Sequence, residues 1–211
     1  MPEQEKRAAK SSFYEEFGIP GVIGCIDGTH INLLQPQDGS AFFNRKGNFS
    51  INAMIICDHN MVIRAIDACH PGSSHDCFIW SMSNARQFVM TKYRDVDHNS
   101  WLLGDAGYAL EPFLLTPYRN PEPRSIQHAF NKTHSSARNI VERTIGYKPK
   151  KVVKIINVCV ALHNICRHYN LEYDYDEPEE NASEVDRFVP TDINLQSEAQ
   201  RIRDEIANNI I

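Results

Sequence analysis

Gly24-Cys25-Ile26-Asp27-Gly28-Thr29-His30 sets an acid at the end of an apolar run and follows it at once with glycine. Val22, Ile23, Ile26, Ile31, Leu33 and Leu34 flank it, and this density of β-branched and aliphatic residues predicts a buried strand. Burying an ionised carboxylate is costly unless it is paired or holds a metal, so the strand is expected to aim Asp27 at a cation. Two further acids stand in similarly marked settings. Asp105 follows Trp101-Leu102-Leu103-Gly104 and precedes Ala106-Gly107-Tyr108, and Glu142 lies in Arg138-Asn139-Ile140-Val141-Glu142-Arg143. The three acids together point to one metal site. Each has a plainer reading as well: Asp27 with Gly28, and Asp105 with its glycines, also fit turns, and Glu142 fits a solvated helix residue pairing with Arg138 one turn earlier.

Outward from Asp27, Glu3 to Phe17 predicts a lead-in helix that stops before Gly18-Ile19-Pro20-Gly21. Gln35 to Ser40 is a turn cluster, and Phe42-Phe43-Asn44-Arg45-Lys46-Gly47 an exposed loop with two adjacent cations. Ser50 to Cys57 and Met61 to Cys69, joined by Asp58-His59-Asn60, predict a hairpin that makes three antiparallel strands with the Asp27 strand. Pro71-Gly72-Ser73-Ser74-His75-Asp76 ends the third, with Ser73 or Ser74 capping a helix through Phe78, Ile79, Trp80 and Met82. Ala85 to Tyr93 continues that helix or forms another.

Trp101 to Leu103 predicts a short central strand delivering Asp105 at its carboxyl end, and Leu110 to Leu115 a further short strand. Helix is expected from about Ser125 to Ile145 and again over Lys150 to Tyr169, the latter apolar nearly all round. The acid-rich Glu172 to Asp186 around Pro178 predicts disorder. A final amphipathic helix over Asn194 to Asn208 either docks by Leu195, Ile202 and Ile206 or stays free. The expected organisation is one domain over residues 1–171 and an acidic, largely disordered tail over 172–211.

The 211 residues, 42% hydrophobic, suffice for a good core, and the longest apolar runs fall short of the roughly 18 residues a membrane helix needs. The N-terminal segment lacks the apolar centre of a secretory signal. Six cysteines without a CxxC pair read as reduced core thiols of an intracellular protein, not as a zinc cluster. Residues 1–171 hold 19 Lys and Arg against 15 Asp and Glu, whereas 172–211 hold 3 against 12. The mildly basic body is compatible with a polyanion partner. The acidic tail reads as a solubilising extension or as a screened competitor for that surface.

The order strand-Asp, antiparallel hairpin, helix, strand-Asp, helix-Glu is the layout of a ribonuclease H-like core: an α/β fold with a mixed five-stranded sheet flanked by helices. Nucleotidyl-transfer chemistry on such a core uses carboxylates to hold two divalent ions about 3.5–4 Å apart on either side of a phosphodiester. Asp27, Asp105 and Glu142 lie far apart in sequence, so the fold must bring them together.

Cys25-Ile26-Asp27-Gly28-Thr29-His30, Arg45-Lys46-Gly47, Pro71-Gly72-Ser73-Ser74-His75-Asp76, Gly104-Asp105-Ala106-Gly107-Tyr108, Arg138-Asn139-Ile140-Val141-Glu142-Arg143 and Ala161-Leu162-His163-Asn164 occur in this order. In these motifs the sequence resembles the PIF/Harbinger transposases and the nucleases derived from them, over about residues 12–170. The resemblance implies that Asp27, Asp105 and Glu142 are the catalytic, metal-binding DDE triad of a metal-dependent nuclease acting on DNA, and that the protein is nuclear, with the cytoplasm as the alternative. Magnesium or manganese suits such an all-oxygen site.

Two departures qualify it. The family's helix-turn-helix has no room ahead of Asp27, so a separate DNA-binding partner is expected to supply one. Gly146-Tyr147-Lys148-Pro149 joins the Glu142 helix abruptly to the next, which reads as an internal deletion that loosens Glu142. The alternative reading is an idle, domesticated domain that binds DNA or protein.

Around the triad, Asp76 is expected to start a helix or support the metal ligands. The His75-Asp76 pair also admits an HD-type phosphohydrolase, but that fold is all-helical. His30 is expected to touch metal or substrate or to bond within the fold. Arg45 and Lys46 are candidate phosphate contacts, and Arg138 and Arg143 are phosphate contacts or salt-bridged residues.

Overall fold

A computed structural model describes residues 1–34, 39–146, 165, 169 and 193–210. Helix α1 (Glu3–Phe17) ends at Gly18, whose φ of 72° closes the helix by a backbone bond to Tyr14, and it buries Ala9 and Phe13. Strand β1 (Val22–Asn32) follows, then β2 (Ser50–Cys57) and β3 (Ile63–Pro71). Helices α2 (Asp76–Met82) and α3 (Asn84–Asp95) precede the short strands β4 (Trp101–Leu103) and β5 (Leu114–Leu115). Helix α4 (Ile126–Ile145) crosses the sheet, and α5 (Ile193–Asn209) is the last described element. The result is an α/β fold: a mixed five-stranded sheet flanked, among the described residues, by five α-helices.

The strand order is β3-β2-β1-β4-β5. The β1–β2 and β2–β3 pairs are antiparallel, as the hairpin predicts, and β4 and β5 run parallel to β1. Residues of β1 alternate between the two faces. One face carries Cys25 and Asp27 and is covered by α4: the Cys25 thiol lies against the Ala137 carbonyl, and Thr144 Oγ1 against Cys57 Sγ. The other face carries Ile26, which with Met54, Ile56, Leu102, Phe113 and Leu114 packs against Ile79 and Trp80 of α2. Glu111 is buried there too, accepting from Trp80 Nε1 (2.7 Å) and pairing with Arg86 (2.6 Å).

Some local details differ from expectation. Helix α2 starts after His75, with no side-chain cap from Ser73 or Ser74, because the chain arrives at His75 in extended conformation. Ala85 to Tyr93 forms a separate helix: Ser83 breaks the run in extended geometry, and its hydroxyl accepts from Arg86 N to cap α3. Cys25 and Cys57 are buried thiols, but Cys69 is exposed and Cys77 only half-buried, since both lie where strand and helix meet solvent.

The chain divides into two compact units, residues 1–144 with 188–211, and residues 145–187. Within the first, α5 docks: Ala199, Ile202 and Ile206 are buried, Tyr93 donates to Glu198, Tyr118 to Asp204, and the Arg203 guanidinium stacks 3.8 Å from the Tyr118 ring. The predicted helix over Lys150 to Tyr169, save residues 165 and 169, the Gly146-Tyr147 junction beyond Gly146, and the predicted disorder over Glu172 to Asp186 lie outside the described residues.

Candidate functional site

Register places the first two acids. In the parallel β1–β4 ladder Cys25 pairs with Leu103, and two residues further along each strand stand Asp27 and Asp105. Strand β4 ends at Leu103 while β1 runs on to Asn32, so the acids flank the notch where β1 loses its neighbour. The Asp27 carboxylate accepts from Gly28 N (3.0 Å), and Asp105 accepts from Gly107 N (2.9 Å) in a tight turn.

A third acid reaches the same neighbourhood from α2. Asp76 lies against Gly28, where an added Cβ would run into its carboxylate, so glycine is what permits this approach. Asn52 Nδ2 fixes Asp76 by a 2.8 Å bond and also donates to the Ser74 carbonyl (3.0 Å). Burial pushes the Asp27 carboxyl above its usual range, Arg138 and the Gly28 N–H pull it back, and the charges of Asp105 and Asp76 raise it.

Helix α4 delivers the cation. Arg138 is only 9% exposed, and its Nη2 lies 3.3 Å from Asp27 Oδ1. Arg138 thus pairs with Asp27 on the sheet face that α4 covers, whereas Glu142, one turn on, is exposed. Of the five buried side-chain polar atoms without a hydrogen-bond partner among the described residues, three belong to this neighbourhood: Asn52 Oδ1, the Tyr108 hydroxyl and Arg138 Nε. The Tyr108 phenol is shifted upward, first by burial and then by Asp76, Asp27 and Asp105, so it stays a protonated donor beside three carboxylates.

The remaining sequence candidates fall into three groups. Arg45 and His75 meet at the start of α2, with Arg45 Nη2 2.6 Å from His75 Nδ1. His30 is exposed and bonds within the fold, its Nδ1 3.0 Å from Ser50 Oγ, which also accepts from Asn44. Lys46 is exposed and held by its backbone N–H on Asn44 Oδ1, and Arg143 is exposed with Nη2 3.8 Å from Met61 Sδ. Sequence reasoning assigned no role to Asn52 or Tyr108. A lone amide inside the apolar run Ser50 to Cys57 was the available signal for the first, and the tyrosine closing Gly104-Asp105-Ala106-Gly107 for the second.

Among the described residues, the one set of three ligating side chains whose donor atoms all lie within 4.8 Å of one another is Asp67, Cys69 and His70 on β3. Asp27, Asp105 and Glu142 do not form such a set. The donors around Asp27 nonetheless fit a hard divalent cation in kind: carboxylate oxygens only, crowded enough to repel one another, next to a hydroxyl without a partner.

The chain belongs to the DDE superfamily endonuclease family, whose model matches residues 26–164. It is similar to the proteins named "Putative nuclease HARBI1" of Rattus norvegicus and Homo sapiens, each 30% identical over 95% of this chain and 62% of the relative. It is also 26% identical to "Protein ALP1-like" of Arabidopsis thaliana, over 95% of this chain and 56% of that protein. The chain therefore spans less than two thirds of the length of these relatives. No solved structure gives a significant match. DDE superfamily endonucleases generally use divalent metal ions.

Proposed function

We propose that this chain is the ribonuclease H-like core of a metal-dependent nuclease that hydrolyses phosphodiester bonds in DNA. The observation that carries the reading is the register of β1 and β4, which sets Asp27 beside Asp105 at the end of a central strand. Asp27 and Asp105 would hold the divalent ion, magnesium or manganese, with Glu142 as the third acid. Such an ion, when bound, stabilises the attacking and leaving oxygens of the phosphodiester.

The chain's own residues prepare that site. Arg138 balances the charge of Asp27, and its guanidinium is of the kind that would also suit a phosphate. Asn52 holds Asp76 against Gly28, and Tyr108 offers its hydroxyl to the carboxylate cluster. Arg45, beside His75 at the start of α2, and the neighbouring Lys46 are exposed cations suited to a DNA backbone. The proposed setting is the nucleus, with a separate partner contributing sequence-specific DNA contacts.

A second reading is favoured by two observations: Asp27 is paired with the Arg138 guanidinium, and Glu142 is exposed. In that reading the domain is catalytically idle and binds DNA or protein. A nicking assay on supercoiled DNA with Mg²⁺ and with Mn²⁺, on the intact chain and on Asp105→Ala, separates the two. Nicking that depends on metal and is lost in the variant supports the nuclease. Nicking that survives in Asp105→Ala removes the acid assignment, and no nicking by the intact chain with either metal leaves the binding role.

A further inference from the structure

The edge strand β3 carries a second set of metal-ligating side chains, away from the acids above. The β2–β3 ladder slips between two of its pairs: Asn52 faces His70, and Met54 faces Asp67. Two steps along β2 therefore correspond to three along β3, a β-bulge with one extra residue on the edge strand. Without the bulge, Asp67 and His70, three apart, would point to opposite faces of the sheet. The extra residue turns them to the same side, and Cys69 joins them. Asp67 Oδ1 lies 3.0 Å from Cys69 Sγ and 3.3 Å from His70 Nε2.

We infer that Asp67, Cys69 and His70 form a mononuclear zinc site with an open fourth position. Donor type sets the choice of ion. One thiolate, one imidazole and one carboxylate suit a borderline-soft cation such as Zn²⁺, and do not suit Mg²⁺ or Mn²⁺, which prefer oxygen. Oδ1 separations of 3.0 and 3.3 Å are of the order expected between ligands that lie about 2.0–2.3 Å from one tetrahedral ion.

The site is also accessible and braced. Cys69 is exposed and free, while Asp67 and His70 are half-buried, and the His70 ring meets Phe78 of α2 edge-on at 6.4 Å. On binding, the Cys69 S–H gives its proton to solvent, the thiolate takes the metal, and His70 binds as neutral imidazole through Nε2. A filled site would tie the three bulge residues together on a strand that, among the described residues, is at the edge of the sheet.

The test uses the full chain, made metal-free and titrated with Co²⁺ and then Zn²⁺. The expected result is one equivalent of Co²⁺ with a thiolate-to-cobalt charge-transfer band, displaced by Zn²⁺. Cys69→Ser should abolish the band and weaken zinc binding at least tenfold, and His70→Ala should weaken it comparably, while Ile66→Ala, on the opposite face of the same strand, should leave both unchanged. Circular dichroism would confirm that each variant folds, which the exposure of Cys69 favours. A missing band in the intact chain, or a band and zinc affinity that survive Cys69→Ser, would overturn the assignment. Because the readout is metal binding, it stands or falls separately from DNA nicking.

Discussion

The centre of the sheet brings three acids into one neighbourhood and its β3 edge brings three mixed ligands within 4.8 Å of one another, and they do so by different means. At the centre, regular parallel register sets Asp27 beside Asp105, and a glycine lets Asp76 approach; the donors are all oxygen, the surroundings are desolvated, and Arg138 balances the charge. At the edge, an irregularity does the work: a bulge turns Asp67, Cys69 and His70 to one side in a half-exposed setting with mixed oxygen, sulfur and nitrogen donors. Regular register builds a site that depends on the whole core behind it, whereas a bulge builds one from a few consecutive residues. The central site should therefore be sensitive to packing and the edge site to its own three side chains alone.

The largest effect is expected where the central acids are anchored. Ile26 is fully buried next to Asp27, so Ile26→Ala should cost about 2–5 kcal/mol through lost burial and the cavity left behind. Urea denaturation would measure it. A cost below about 1 kcal/mol would mean that the centre relaxes easily and does not hold the acids by packing.

Acid should weaken the same region through α4. His134 is buried, donates from Nε2 to the Leu115 carbonyl (3.1 Å), and has its pKa lowered from 6.5 to about 4, chiefly by burial. The unfolded chain therefore binds a proton that the folded chain refuses, so stability is full above pH 6.5 and falls as the pH drops toward 4. The loss should reach about 3 kcal/mol across that window. His134→Gln, which cannot titrate, should flatten the slope of stability against pH; an unchanged slope would assign it to other groups.

Removing the cation from the centre should cost somewhat less. Arg138→Met leaves Asp27 partly buried and unpaired, and should destabilise by about 1–3 kcal/mol near neutral pH. The sign of its pH dependence is opposite to that of His134. Asp27 already has a raised pKa, and without Arg138 it rises further, so the folded state gains a proton more readily than the unfolded state and the penalty shrinks as the pH falls. A penalty that stays constant with pH would show that the guanidinium matters for packing and not for the Asp27 charge.

How far the sequence reveals these regions follows the same division. The strands and helices around the centre are legible, because continuous apolar runs and glycine stops act locally: α1 spans the residues its propensity marks, and the hairpin pairs in the predicted order. Asp27 and Asp105 stand out because acids at the ends of apolar runs conflict with their surroundings. The pairing of Arg138 with Asp27 is not legible, since helical spacing offers Glu142 as the nearer partner and only the docking of α4 decides between them. The edge cluster is hidden for a related reason: with strict alternation Asp67 and His70 point apart, and a one-residue bulge leaves no mark in composition. Cys69, read from its apolar neighbours as a core thiol, is exposed because its strand is the last in the sheet.

The smallest effect is expected at the edge. Ile66 pairs with Ile55, which pairs with Asp27, so the three side chains share one face of the sheet, yet Ile66 is 61% exposed while Ile55 is buried. Most of its surface already meets water in the folded chain, so little transfer free energy is lost on truncation and no cavity forms. Ile66→Ala should change stability by no more than about 0.5 kcal/mol, and it should leave cobalt binding at Asp67, Cys69 and His70 intact, because neighbouring positions on a strand face opposite ways. Urea denaturation and the cobalt titration, run on the same variant, check both. A loss above about 1 kcal/mol would show that this face of the edge strand is covered in solution, and the contrast between a packed centre and an independent edge would then have to be redrawn.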